Sequence, residues 1–106
     1  MERQIRNLTL EIISLRVDVE KLQSEAQLIA LAEEEHTQDT QDEVLKCEEA
    51  YLLNPTDEVA GKALDRAYDK HEEAMDAWHD AEDRLDYITK ALDMLERAER
   101  YLAWAE

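Results

Sequence analysis

One proline and one glycine occur in this chain of 106 residues, and the proline, Pro55, stands at its centre. Proline breaks a helix, and it also pushes the residue before it, Asn54, out of helical geometry. On either side run about 50 residues dominated by Glu, Ala, Leu, Asp, Lys and Arg, most of them good helix formers. The sequence therefore predicts a single all-α domain over residues 1–106. Helix 1 is expected over about 2–53, a turn over 54–57 and helix 2 over about 57–104. So short a connection makes the two helices antiparallel neighbours in a long, coiled-coil-like hairpin. Asn54 is expected to cap helix 2, Pro55 to take its first position, and Asp57 and Glu58 to place negative charge at its positive end.

Seven-residue spacings supply the seam. In the first half Ile5, Ile12, Val19 and Ala26 form one set, and Leu8, Leu15, Leu22 and Ile29 the other. In the second half Leu64, His71, Trp78, Leu85 and Leu92 alternate with Ala60, Ala67, Ala74, Ala81, Ile88, Leu95 and Leu102. Folding at the turn brings Val19 near Leu92, Ala26 near Leu85, and Leu15 near Leu95 or Glu96. The pattern falters between Glu33 and Glu43, where Glu33, His36 and Thr40 stand at expected seam positions. Thr40-Gln41-Asp42-Glu43 has the form of a capping box. Two readings therefore stand for residues 36–41: a break with a restart, or a continuous helix carrying a polar patch. Val44, Cys47 or Glu48, and Tyr51 resume the seam after a four-residue shift, as in a stutter.

A second apolar stripe, Leu10, Ile13 and Val17, lies on helix 1 away from the seam, and Leu28 and Leu31 extend it. Exposed apolar stripes mark protein contacts. These five residues are the expected self-association surface of a homodimer, in a four-helix arrangement at the apolar base. The competing arrangement wraps helix 2 across this stripe with Tyr87, Met94, Tyr101 and Trp104.

Charge is gathered in the middle of the sequence. Residues 33–86 hold 19 of the 28 acidic residues and five of the 12 basic ones, a net −14 of the total −16. On helix 2, Asp65, Asp69, Glu72, Asp76, Asp83 and Asp86 recur three or four apart, away from the seam, and Glu73 and Asp80 widen the stripe. On helix 1, Glu34, Asp39, Asp42 and Glu43 form the facing set, with Glu35, Glu48 and Glu49 nearby. A segment about 27 residues tall spans roughly 40 Å, or about one net charge per 3 Å. Duplex DNA carries one per ~1.7 Å and each strand one per ~3.4 Å. Like charges at this spacing destabilise a helix, and few bases are interleaved to offset them. The chain ends, with Arg3, Arg6, Arg16, Lys21, Lys90, Arg97 and Arg100, are nearly balanced.

This charge opposes direct binding to nucleic acid or to an anionic membrane and favours a basic protein partner. Cys47 is alone, so an internal disulfide is excluded. The first residues show no secretory pattern, and no apolar stretch is long enough to span a bilayer. A cytoplasmic protein is expected. One glycine cannot build a phosphate-cradling loop, and no nucleophilic triad is present, so catalysis is not expected. Glu33 with His36, and Asp76 with His79, have a spacing used in di-iron bundles. One pair lies on the seam and the other off it, so no metal or cofactor is expected.

The functional expectation is a non-enzymatic acidic protein that imitates nucleic acid and occupies the basic surface of a nucleic-acid-handling complex. In size, charge and lack of motifs the chain is similar to small acidic bacteriophage proteins that disarm restriction, CRISPR or nuclease machinery. That similarity is one of composition, and it implies a site of action in the host cytoplasm. The alternative is a structural or adaptor coiled coil whose acids only solubilise it.

Overall fold

The computed structural model describes residues 1–105 and forms an all-α helical hairpin. Helix α1 covers Glu2–Leu53 and α2 covers Glu58–Ala105, with no strand among the described residues. Its contacts divide into two compact units. Unit 1 joins Met1–Leu28 to Asp83–Glu106, and unit 2 is Ile29–Glu82.

Unit 2 contains the turn. The Asn54 N–H bonds back to the Ala50 and Tyr51 carbonyls, and the Asn54 carbonyl accepts from the Asp57 N–H at 3.1 Å. With no residue of positive φ, this is a type I turn with Pro55 at its second position. The helix 2 cap is Asp57, not Asn54. The Asp57 carboxylate accepts from the Val59 N–H at 3.0 Å, while its carbonyl takes the first helical bond, from Gly61 at 3.1 Å. Asn54 instead faces Thr56, whose hydroxyl lies 3.4 Å from its side-chain oxygen. The reason is geometric: Pro55 and Thr56 are consumed in reversing the chain, so α2 starts three residues later than a cap at Asn54 requires. The dipole role of Glu58 stands, because it is the acid of the first turn.

Of the two readings of residues 36–41, the continuous helix carrying polar residues is the one observed. Helix α1 is unbroken through residues 36–41, and Thr40 is buried rather than capping. In unit 2 the inward residues of α1 are Ala30, Glu33, Thr37, Thr40, Val44, Cys47 and Tyr51, alternating four and three apart without a stutter. His36 is exposed, and Thr37 takes the seam position expected of it. The Thr37 hydroxyl lies 2.7 Å from the Glu33 carbonyl and 3.1 Å from the Ala74 carbonyl across the seam. The Thr40 hydroxyl donates to the Thr37 carbonyl at 2.8 Å and sits 3.0 Å from His71 Nδ1. These bonds let polar residues occupy the seam: among the described residues, no buried side-chain polar atom lacks a partner.

The second half of the seam is as expected. Ala67, Ala74 and Ala81 are buried in unit 2, with Leu64, His71 and Trp78 half-buried beside them. In unit 1, Leu92 is buried and Leu85, Ile88, Leu95 and Leu102 are half-buried. On α1 the set Ile5, Ile12, Val19 and Ala26 also faces inward. Its companion set is one residue off. Thr9, Arg16 and Gln23 occupy the seam, whereas Leu8, Leu15, Leu22 and Ile29 are 46%, 51%, 51% and 48% exposed. Arg16 bonds Glu99 across the seam at 2.7 Å, and Gln23 bonds Thr89 at 3.2 Å. Leu15 therefore flanks the contact with helix 2 rather than entering it. A single heptad phase explains the choice: counting in sevens from Leu8 leads to His36 and Glu43, whereas counting from Thr9 leads to Ala30, Thr37, Val44 and Tyr51.

The resulting core is narrow. Among the described residues, its buried apolar side chains besides Val44 and Leu92 are all alanines, and no large side chain is fully buried. Small residues let backbones approach closely, so stability comes from many weak contacts along the seam. Asp57→Ala should therefore lower unfolding free energy by about 1 kcal/mol, the usual cost of a lost cap. Asn54→Ala should cost less. Urea titrations followed by circular dichroism check both, and equal losses would contradict the assignment of the cap.

Candidate functional site: the acidic surface of unit 2

Unit 2 holds 17 acidic residues against four basic ones, a net −13, which leaves −3 for unit 1. The fold thus partitions charge between its two compact parts. On α2 within unit 2, Asp65, Asp69, Glu72, Glu73, Asp76 and Asp80 are all exposed. They occupy the outer positions of the heptad because Leu64, Ala67, His71, Ala74, Trp78 and Ala81 take the inner ones. On α1, Asp39, Asp42 and Glu43 are exposed, and Glu34 is half-buried beside the seam. Asp83 and Asp86, expected in the same set, belong to unit 1. Asp86 is already paired, with Lys90 at 2.8 Å.

The two units differ in how charge is answered. In unit 1, Arg16 bridges Glu99 at 2.7 Å and Glu20 at 2.6 Å, and Arg97 meets Asp93 at 3.0 Å. The bonds to Glu99 first, and to Glu20 second, hold the Arg16 guanidinium above its usual pKa. Lys90 is raised in the same sense by Asp86. In unit 2, among the described residues, no carboxylate forms an ion pair. Lys46, Lys62, Arg66 and Lys70 are all exposed. Asp57 accepts from the Val59 N–H and Glu48 from the Tyr68 hydroxyl. That bond, followed by loss of solvation, raises the Tyr68 pKa. The Cys47 thiol lies 3.9 Å from a Glu43 oxygen and is half-buried.

This surface is acceptor-rich. Exposed carboxylates without partners can receive hydrogen bonds and charge from lysine and arginine side chains. Unit 2 is about 25 residues tall, roughly 37 Å, which preserves about one net charge per 3 Å. Metal chemistry has no such geometry. Glu33 is half-buried at the seam, but His36 and Asp76 are exposed, and His79 stacks on Trp78 with ring centroids 5.7 Å apart. Among the described residues, no group of three or more His, Cys, Asp or Glu side chains is close enough to hold a metal ion. No helix among the described residues is long and apolar enough to cross a membrane.

Of the residues expected to mediate self-association, Leu10, Val17 and Leu28 are exposed in unit 1 and Ile13 is half-buried; Leu31 is exposed in unit 2. Sequence reasoning missed two further apolar sets. One is Leu8, Leu15 and Leu22, assigned to the wrong side of the seam. The other surrounds the turn, where Leu52, Leu53 and Val59 are exposed. The adjacency of Leu53 and Val59 to the turn was the available signal, since residues flanking a tight reversal have few neighbours.

No protein-family model matches the chain, and neither a curated protein nor a solved structure is similar to it.

Unanswered like charge in unit 2 weakens the fold at low ionic strength. Raising salt from about 10 mM to 0.15 M, which shortens the screening length from roughly 30 to 8 Å, should raise the thermal midpoint. A midpoint that falls with salt would show that the ion pairs of unit 1 outweigh the repulsion.

Proposed function

We propose that this is a non-enzymatic binding protein whose acidic surface imitates nucleic acid, occupies the basic site of a DNA- or RNA-handling protein and so blocks it. The observation that carries this reading is the set of exposed, unpaired carboxylates of unit 2, chiefly Asp65, Asp69, Glu72, Glu73, Asp76 and Asp80. A surface that only solubilised the hairpin could interleave lysine and arginine, as unit 1 does. Leaving the charge unanswered costs stability and provides a field that steers a basic partner and speeds its association. The linear charge density falls between those of duplex DNA and of one strand. The host cytoplasm, where nucleic-acid enzymes of the restriction, CRISPR and nuclease types act, is the proposed place of action.

A second reading, a structural or adaptor coiled coil, is favoured by the exposed leucines of α1. The two differ in which residues matter. On the mimic reading, the combined substitutions Asp65→Lys, Asp69→Lys and Asp76→Lys abolish partner binding while helical circular dichroism is retained. The measurement is capture of basic nucleic-acid-binding proteins on the immobilised chain, with duplex DNA and rising salt as competitors. Release by DNA and by salt is expected. Capture that survives charge reversal and ignores DNA would favour the adaptor.

A further inference from the structure

We infer that one flank of unit 1, formed by Leu8, Leu15 and Leu22 of α1 with Tyr87, Met94 and Tyr101 of α2, is a docking surface for a second copy of this chain. The inference is independent of the proposed mimicry and uses none of the carboxylates of unit 2.

The surface follows from the register. Leu8, Leu15 and Leu22 each precede a seam residue, Thr9, Arg16 and Gln23. On α2, Ala91 and Ala98 precede Leu92 and Glu99 in the same way. In an antiparallel pair, equivalent flanks of the two helices lie on the same side. The opposite flank of unit 2 illustrates the rule: Glu48 and Tyr68, each four residues after the seam residues Val44 and Leu64, are hydrogen-bonded to each other. The leucines of α1 therefore share a side with Ala91 and Ala98. One turn before these alanines, Tyr87 and Met94 lie on that same side, and Tyr101 continues the row.

The result is three leucines, two small residues and a row of three large side chains on one flank, bordered on α1 by exposed Glu11 and Asp18, one turn before Leu15 and Leu22. Leu8, Leu15 and Leu22 are about half exposed, and Tyr87, Met94 and Tyr101 are 71%, 69% and 72% exposed. Ala91, exposed, and Ala98, half-buried, stand between the two rows. A two-fold axis through this flank would set each copy's row of large side chains against the small residues of the other.

Area and charge both indicate a second copy as the occupant. The chain exposes 8374 Å², roughly a third more than the ~6,100 Å² expected for a folded monomer of its mass. Covering the exposed parts of the six large side chains removes on the order of 700 Å² per copy, close to the ~800 Å² per partner of a standard stable interface. Charge then selects which part pairs. Unit 1 carries a net −3 and unit 2 a net −13, so two copies meet through unit 1 with little repulsion. On the other flank of unit 1 the charge lies on α2 instead of α1. There Leu10 and Val17 share the side occupied on α2 by Asp86, Asp93, Glu96 and Arg100, which are charged and exposed.

Sedimentation equilibrium over micromolar to submillimolar concentrations tests this directly. Wild type should reach twice the 12.4 kDa chain mass. Leu15→Glu with Met94→Glu should remain at the single-chain mass with helical circular dichroism intact. Because charged substitutions can also disturb the pair itself, the helix-compatible combination Tyr87→Ala with Tyr101→Ala is the second arm, and should weaken association roughly 30-fold or more. Leu10→Glu with Val17→Glu, on the other flank, should leave the dimer intact, as should charge reversal in unit 2. A wild type that stays at the single-chain mass throughout overturns the proposal. So does a dimer broken by the Leu10 and Val17 substitutions but not by the two tyrosine truncations.

Discussion

Everything in this molecule depends on keeping one heptad phase along both helices. The seam alternates strides of three and four residues without interruption, and α1 keeps it at the expense of local hydrophobicity. Three leucines are left half exposed so that Thr9, Arg16 and Gln23 can enter. The exchange is tolerable because the polar seam residues find partners: Arg16 with Glu99, Gln23 with Thr89, Thr37 with Ala74, and Thr40 with His71. Pairs of this kind fix register more than they add stability, since a one-step slip would strand each of them without a partner.

Much of this was legible in the residues. The lone central proline, the two long helices and the alignment of Val19 with Leu92 follow from turn chemistry and counting, and the helix 2 seam was readable position by position. The companion set on α1 was not. Leu8, Leu15, Leu22 and Ile29 make a more apolar stripe than Thr9, Arg16, Gln23 and Ala30, so local hydrophobicity selects the wrong set. Only the distant residues Thr37, Val44 and Tyr51 favour the correct phase. The apparent break at residues 36–41 was the same error seen from its other end: once the phase moves by one residue, Thr37 replaces His36 and no interruption is needed. The cap was misplaced by three residues because Asn54 and Asp57 both have the chemistry, and only the turn geometry separates them.

The acidic surface was legible for a different reason. Charge on an outer helical face needs no partner residue to be recognised, so a sequence count finds it. What the fold adds is partition. The ion pairs belong to unit 1, while the carboxylates of unit 2 stay unpaired. This division lets one chain carry a repulsive, acceptor-rich surface together with a nearly neutral one that exposes apolar residues.

The shared phase can be tested at a single imidazole. The Thr40 hydroxyl lies 2.8 Å from the Thr37 carbonyl and 3.0 Å from His71 Nδ1, which donates to it or accepts from it according to the ring's tautomer. Nitrogen-15 NMR of the imidazole rings above neutral pH reads this directly. The account predicts that Thr40→Val, which removes the hydroxyl beside His71 Nδ1, moves the His71 ring-nitrogen signals and leaves those of exposed His79 in place. His71 ring-nitrogen signals unmoved by Thr40→Val would mean that this layer is not assembled and that the helices pair in another register.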